Sequence, residues 1–231
     1  MRRQARVDHL ASSFTDLMTS LMVIFVLLFL AFVHNQVGKR ETVKESILKE
    51  LKKKLIPIGF REDYIKPDEN DRNAVVIIVP ERLMNFDSGD YHLKKQGQQF
   101  IEEKIPFLAQ TLAAFHQDID SIVVEGHTDR QHRQGDTQNQ GEAYNLQLSQ
   151  NRSMEVVKLS LNTLEQHQMT QERAFFLDKL SASGRGEQNA STDPEKVNNE
   201  EDRRVIFRIR IRPSVEPAFT QEVKVAAAAS P

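Results

Sequence analysis

Between Leu10 and Val33 the sequence runs for 24 residues with a single charged side chain, Asp16. The second part of this stretch, Leu21 to Val33, is thirteen apolar residues in a row. At about 1.5 Å per residue the whole stretch makes a helix of about 36 Å, enough to cross a bilayer with some tilt. A cleaved signal peptide would also explain an apolar run behind Arg2, Arg3 and Arg6. However, His34-Asn35-Gln36 is a poor small-residue cleavage site. A retained transmembrane helix over residues 10–33 is therefore expected, preceded by a tail of residues 1–9.

Beyond this helix the chain is polar. The 231-residue chain has a net charge of −2 with 28% charged residues, so no general cationic surface suggests a nucleic-acid partner. It has no cysteine, which rules out thiolate metal sites, cysteine nucleophiles and disulfides, and suits an oxidising, extracytoplasmic setting. Residues 34–71 read as a stalk and linker. Ile47, Leu48, Leu51 and Leu55 recur at helical spacing among lysines and glutamates, which fits either a solvated stalk or a short parallel coiled coil. Pro57 and Gly59 end this helix, and Lys66 to Asn73 has turn chemistry.

Over residues 72–212 the pattern becomes α/β (α+β), with strands expected at Ala74–Pro80, Asp120–Gly126, Lys179–Gly184 and Arg203–Ile211. Helical spacing covers Lys94–His116 and Tyr144 to about His167. A mixed four-stranded sheet with two long helices is the expectation. Residues 213–231 are expected to form a flexible tail.

Five short motifs occur in order within this domain. They are "FDSGDYHL" from Phe86, "VEGHTD" from Val124 to Asp129, "NLQLSQNR" from Asn145 to Arg152, "LSASGRGEQ" from Leu180 and "DRRV" from Asp202. Together they resemble the OmpA-like peptidoglycan-binding domains, with Asp202 where that family commonly has asparagine. The segment from Arg130 to Tyr144 is about twice the usual length there, a polar insertion at the rim of the expected site. The resemblance implies binding of diaminopimelate, whose side chain carries both an ammonium and a carboxylate. Such a zwitterion needs an anion and a cation at fixed separation, and a guanidinium forks onto a carboxylate. By resemblance Asp129 takes the ammonium, Arg152 takes the carboxylate, Thr128 and Asn145 add hydrogen bonds, and Arg204 approaches the rim. The alternative is a purely structural ion pair between Asp129 and Arg152. His127, Asp129 and His132 lack a fourth ligand for a metal, and Gly184-x-Gly186 lacks the rest of a dinucleotide fingerprint. With no catalytic constellation in view, neither enzyme activity nor a cofactor is expected.

A wall-binding domain resolves the topology. Lysines and arginines are more numerous after the apolar helix than before it, which by count alone would favour the opposite orientation. Peptidoglycan lies outside the inner membrane, so a single-pass inner-membrane protein is expected, with residues 1–9 cytoplasmic and the C-terminal domain periplasmic.

Asp16 then needs a reason. Ser12, Asp16, Thr19 and Ser20 share one side of the helical wheel, a polar stripe suited to protein or water rather than lipid. An interfacial carboxylate near a helix N-terminus is the simpler alternative. The stretch "TDLMTSLMVIFVLLFLAF" resembles the single helix of the MotB-like stator proteins, whose signature is A-D-x-M-T-x-M-M before an apolar run. That resemblance implies that Asp16 carries the coupling ion, a proton or sodium, with Ser12, Thr19 and Ser20 as neighbours of the ion path. It also implies two copies of the chain inside a ring of five multi-span MotA-like subunits. A proton crossing the membrane potential releases about 2.3 kcal/mol per 100 mV. A charge at the centre of a span costs roughly 2.5–3.5 kcal/mol, so protonation of Asp16 is commensurate with a change of packing. The short N-terminal tail and the lack of a flagellar-type amphipathic plug make the chain more similar to ZorB proteins of Zorya anti-phage systems, with a ZorA-type ring partner, than to flagellar stators. A flagellar-type stator and an inert membrane-to-wall tether are the alternatives.

Overall fold

The computed structural model describes residues 2–193, 195, 197 and 199–212; for residues 2–13, 15–16 and 35–42 it describes the backbone alone. The expected tail, 213–231, and the side chains of Ser12 and Asp16 lie outside the described residues. The chain divides into two units, Met1–Thr42 and Val43–Pro231.

Helix α1 spans Arg2–Leu55. In the first unit its stretch Leu17–His34 is long and apolar enough to cross a membrane, and the chain itself buries none of it. Phe14, Leu17, Met22, Phe25 and Leu28 are all more than half exposed, and Thr19 and Ser20 are exposed too. An apolar surface of this extent is unfavourable in water and suited to lipid.

The second unit is built on one mixed sheet. Its strands are β1 (Ile65–Pro67), β2 (Ala74–Pro80), β3 (Ile119–His127), β4 (Leu180–Gly184) and β5 (Arg204–Ile211), in the order β1-β2-β5-β3-β4. Only β3 and β4 pair in parallel, and the other neighbours are antiparallel. The sheet therefore has five strands rather than the expected four. The additional strand, β1, is three residues long and sits at the edge, with Ile65 opposite Ile77. So short a strand shows no alternation to read, and its neighbours Lys66 and Asp68 carry linker chemistry.

Alternation sets which face is buried. On β5, Val205, Phe207, Ile209 and Ile211 enter the core, while Arg204, Arg208 and Arg210 take the other face. Helix α2 is a single turn, Glu81–Met84. Helix α3 (Lys95–Ala113) brings Ile101, Ile105, Leu108 and Leu112 to the core at three- and four-residue spacing. Helix α4 (Gln138–Gln166) adds Val156, Val157 and Leu164, and helix α5 (Thr170–Lys179), which the sequence pattern does not suggest, adds Phe176.

Two boundaries differ from expectation. Helix α4 begins six residues before Tyr144, because Thr137 and Gln140 form a capping box that satisfies the first free amides. The Ile47, Leu51 and Leu55 positions, expected on a stalk or coiled-coil seam, have no exposed surface at all and belong to the domain core. Their spacing does mark one apolar helix face, but the face packs within the chain, so the folded unit starts at Val43.

Candidate functional site

A cleft of about 620 Å³ opens where the end of β3, the start of α4 and the segment before β5 converge. Its position depends on a close approach at Gly126. A Cβ there would collide with the backbone carbonyl of Ser149 on α4, so only glycine lets the strand lie against the helix. The strand then delivers Thr128 and Asp129 beside Asn145 and Arg152. This gives the glycine of the G-H-T-D motif a packing role.

Arg152 is buried and aimed at the 87–90 loop. Its Nε donates to the Asp90 carbonyl at 2.9 Å and Nη2 to the Asp87 carbonyl at 3.1 Å. Nη1 lies 3.4 Å from Glu81 Oε1, and the guanidinium sits 4.8 Å from the centre of the Phe86 ring. Burial lowers its affinity for the proton, and Glu81 opposes that effect. The "F-D-S-G-D" motif is thus the floor that holds this cation.

Asp129 is buried at the opposite side. Its Oδ2 accepts from Arg203 Nη1 at 2.6 Å and its Oδ1 from the Gln131 amide at 3.2 Å. Arg203 also donates through Nε to Glu81. Burial works against the Arg203 charge, but its bonds to Glu81 and Asp129 outweigh that, and its pKa rises. The four groups form a chain, Arg152–Glu81–Arg203–Asp129, with two charges of each sign. Asp129 and Arg152 are therefore not a direct ion pair; each is held by another residue, and both line the cleft.

Asn145 donates through Nδ2 to the carbonyls of Asp129 and Gln131 at 3.3 and 3.2 Å, and to Glu187 Oε1 at 3.0 Å. Thr128 is anchored by its amide to the Gly186 carbonyl at 2.9 Å. The residue lines the cleft, and its hydroxyl is buried with no hydrogen-bond partner among the described residues. Such an orphan is unfavourable unless something else reaches it.

Arg204 does not line this cleft. Its Nη1 donates to the Glu201 carbonyl at 2.8 Å, and it is Arg203 that enters the site. The two arginines are adjacent at the start of β5, and consecutive side chains point to opposite faces. The doublet is legible in the sequence; which member faces the site depends on the register with β2. Glu81 is not among the expected site residues either. It comes one residue after a strand, and no signal in the sequence marks it.

The insertion after Asp129 folds over the rim. His132 Nε2 is 2.5 Å from Glu187 Oε1, and Gly141 passes so close to the His132 ring that a Cβ would overlap it. Arg133 lies 4.0 Å from the centre of the Tyr144 ring, and the Tyr144 hydroxyl donates to the Gly89 carbonyl at 2.9 Å. The inserted residues therefore form one wall of the cleft.

No curated protein matches the chain in sequence. Among solved structures it is similar to a MotB-like protein from Desulfovibrio vulgaris, with 19% identity and a TM-score of 0.51 over 78% of this chain and 98% of that one. It also matches the periplasmic domain of Helicobacter pylori MotB, with 16% identity and a TM-score of 0.43 over 69% of this chain and 94% of the other. A third match is the cell wall anchor of the T6SS from Pseudomonas aeruginosa, with 18% identity and a TM-score of 0.41 over 72% and 97% of the two chains. The first of these shares the fold. The pattern of the OmpA family fits residues 85–204, just over half of the 231 residues and every residue lining the cleft except Glu81. The chain belongs to the OmpA family.

Proposed function

We propose that this chain is the wall-anchored subunit of an ion-driven inner-membrane motor, with its C-terminal domain in the periplasm and residues 1–9 in the cytoplasm. The observation that carries the reading is the pairing of two features in one chain. One is an OmpA-family cleft with a buried anion, Asp129, and a buried cation, Arg152. The other is an apolar helix whose only charged residue between Leu10 and Val33 is Asp16. The cleft suits a zwitterionic diaminopimelate side chain, with Asp129 facing the ammonium, Arg152 facing the carboxylate and Thr128 beside them. A wall tether needs only the first feature. A carboxylate in the span supports ion coupling, because an intramembrane charge is unfavourable without a task.

A single helix cannot enclose an ion path, since one side of the carboxylate would always meet lipid. The remainder is supplied by a MotA-like, multi-span ring of five subunits around two copies of this chain. Within this class we assign the chain to anti-phage defence of the ZorB type rather than to motility. In residues 43–71 the apolar side chains Ile47, Leu51 and Leu55 pack in the domain core, which supports this reading by leaving them unavailable to a plug helix.

Purification from native cells through a tag on this chain, followed by native mass measurement, tests the assembly. A complex with a larger membrane protein is expected, and Asp16→Asn should preserve that complex while abolishing phage protection. A homodimer without a second protein, or full protection by Asp16→Asn, would reduce the chain to a tether.

A further inference from the structure

Arg133 is the one cleft-lining arginine that the Asp129–Arg152 reading leaves unused. It is held in place from two sides, by the Tyr144 ring at 4.0 Å and by Asp136 Oδ2, which accepts from its Nε at 3.1 Å. Tyr144 is fixed in turn by its bond to the Gly89 carbonyl. The inserted segment behind Arg133 is tied to the domain through His132, Glu187 and Asn145. Arg133 lines the cleft, and both of its Nη groups remain without a hydrogen-bond partner among the described residues.

The size of the cleft points the same way. About 620 Å³ lies in the range of sites that enclose a drug-sized ligand, larger than the end of one amino-acid side chain requires. A planar guanidinium with two free Nη groups is suited to a carboxylate. The zwitterion between Asp129 and Arg152 accounts for one carboxylate and leaves Arg133 to a second.

We infer that the 130–144 insertion makes Arg133 a specificity residue for a second carboxylate on the wall stem peptide, adjacent to the diaminopimelate end. This rests on the wall-binding reading above. In the stem, the residue before diaminopimelate is a γ-linked glutamate, whose free α-carboxylate is amidated in some walls. Arg133 therefore distinguishes the acid from the amide.

The experiment uses the full-length protein in detergent and calorimetric titration with three probes: free diaminopimelate, the tripeptide L-Ala-γ-D-Glu-diaminopimelate, and the same tripeptide with the glutamate α-carboxylate amidated. The wild type should prefer the acid tripeptide over the amide by about fivefold, the upper end for a charge pair open to solvent. Arg133→Gln should remove the preference, and Arg133→Lys should retain part of it. Diaminopimelate binding with no preference in the wild type, or a preference that survives Arg133→Gln, overturns the inference and leaves the wall-binding reading intact. No binding of any probe overturns that reading and the inference with it.

Discussion

The domain contains two clusters of buried charge, built from the same residue types and used differently. On the sheet face away from the core, Glu125 accepts from Arg185 at 3.1 and 2.5 Å and from Arg208 at 3.1 and 3.0 Å, with His127 Nε2 3.7 Å away. Arg208 also pairs with Asp68. Both oxygens of one carboxylate are engaged, and among the described residues the cluster lines no sizeable cavity. In the cleft, Asp129 and Arg152 are equally buried, yet each shares its partners along a chain of four, and the Thr128 hydroxyl has none among the described residues. Burial alone does not separate a binding site from a structural clamp. An open cleft lined by both the anion and the cation does.

The largest expected effect is on the clamp. Glu125→Ala leaves two arginines without their shared anion and should cost about 3 kcal/mol of stability, read as a lowered melting temperature of the solubilised protein. Affinity of the surviving folded protein for peptidoglycan should be near wild type. A loss of affinity without a loss of stability would erase the distinction between the clusters.

Arg152→Ala acts on both properties. It should weaken binding by about 1.5–3 kcal/mol, the value of a charged hydrogen bond, because the ligand carboxylate loses its partner. It should also lower stability by about 1 kcal/mol, since the Asp87 and Asp90 carbonyls lose their donor. Titration with diaminopimelate and a denaturant melt on the same preparation separate the two.

The smallest effect concerns pH. Burial would raise the Glu125 pKa, but the neighbouring His127 and the hydrogen bonds from Arg185 outweigh this and hold the carboxyl below its ordinary range. A carboxylate whose folded pKa is depressed adds stability that is complete above its unfolded value, near ~4.3, and is lost as pH falls through the folded value. Glu125→Gln should therefore flatten the acid limb of the stability curve below about pH 4 and leave its shape at neutral pH unchanged. An unchanged acid limb would assign the acid sensitivity to other carboxylates.

Legibility in the sequence divides along similar lines. Ala74–Pro80 is a strand to the residue, and β3, β4 and β5 lie within a residue or two of the expected bounds, because apolar runs bounded by turn residues have one reading. Strand β1 and helix α5 are not legible: one is too short to alternate, and the other contributes one fully buried side chain, Phe176. Ile47, Leu51 and Leu55 show that a helix face is buried but not against what. Thr128, Asp129, Asn145 and Arg152 lie in motifs and meet in the cleft. Glu81 and Arg203 come from segments 122 residues apart, and only the pairing of β2 with β5 brings them together.

In the proposed function the cleft holds the cell wall through one anion, Asp129, and one cation, Arg152. The most direct test compares the full-length wild type with Asp129→Asn in co-sedimentation with diaminopimelate-type peptidoglycan. The amide keeps the shape and a hydrogen bond to Arg203 but carries no charge for the ligand ammonium. Loss of the ion pair with Arg203 should lower stability by about 1 kcal/mol, and the folded protein should bind about tenfold more weakly, roughly 1.4 kcal/mol. Equal sedimentation of the two proteins at limiting peptidoglycan would contradict it and make Asp129 a structural carboxylate like Glu125.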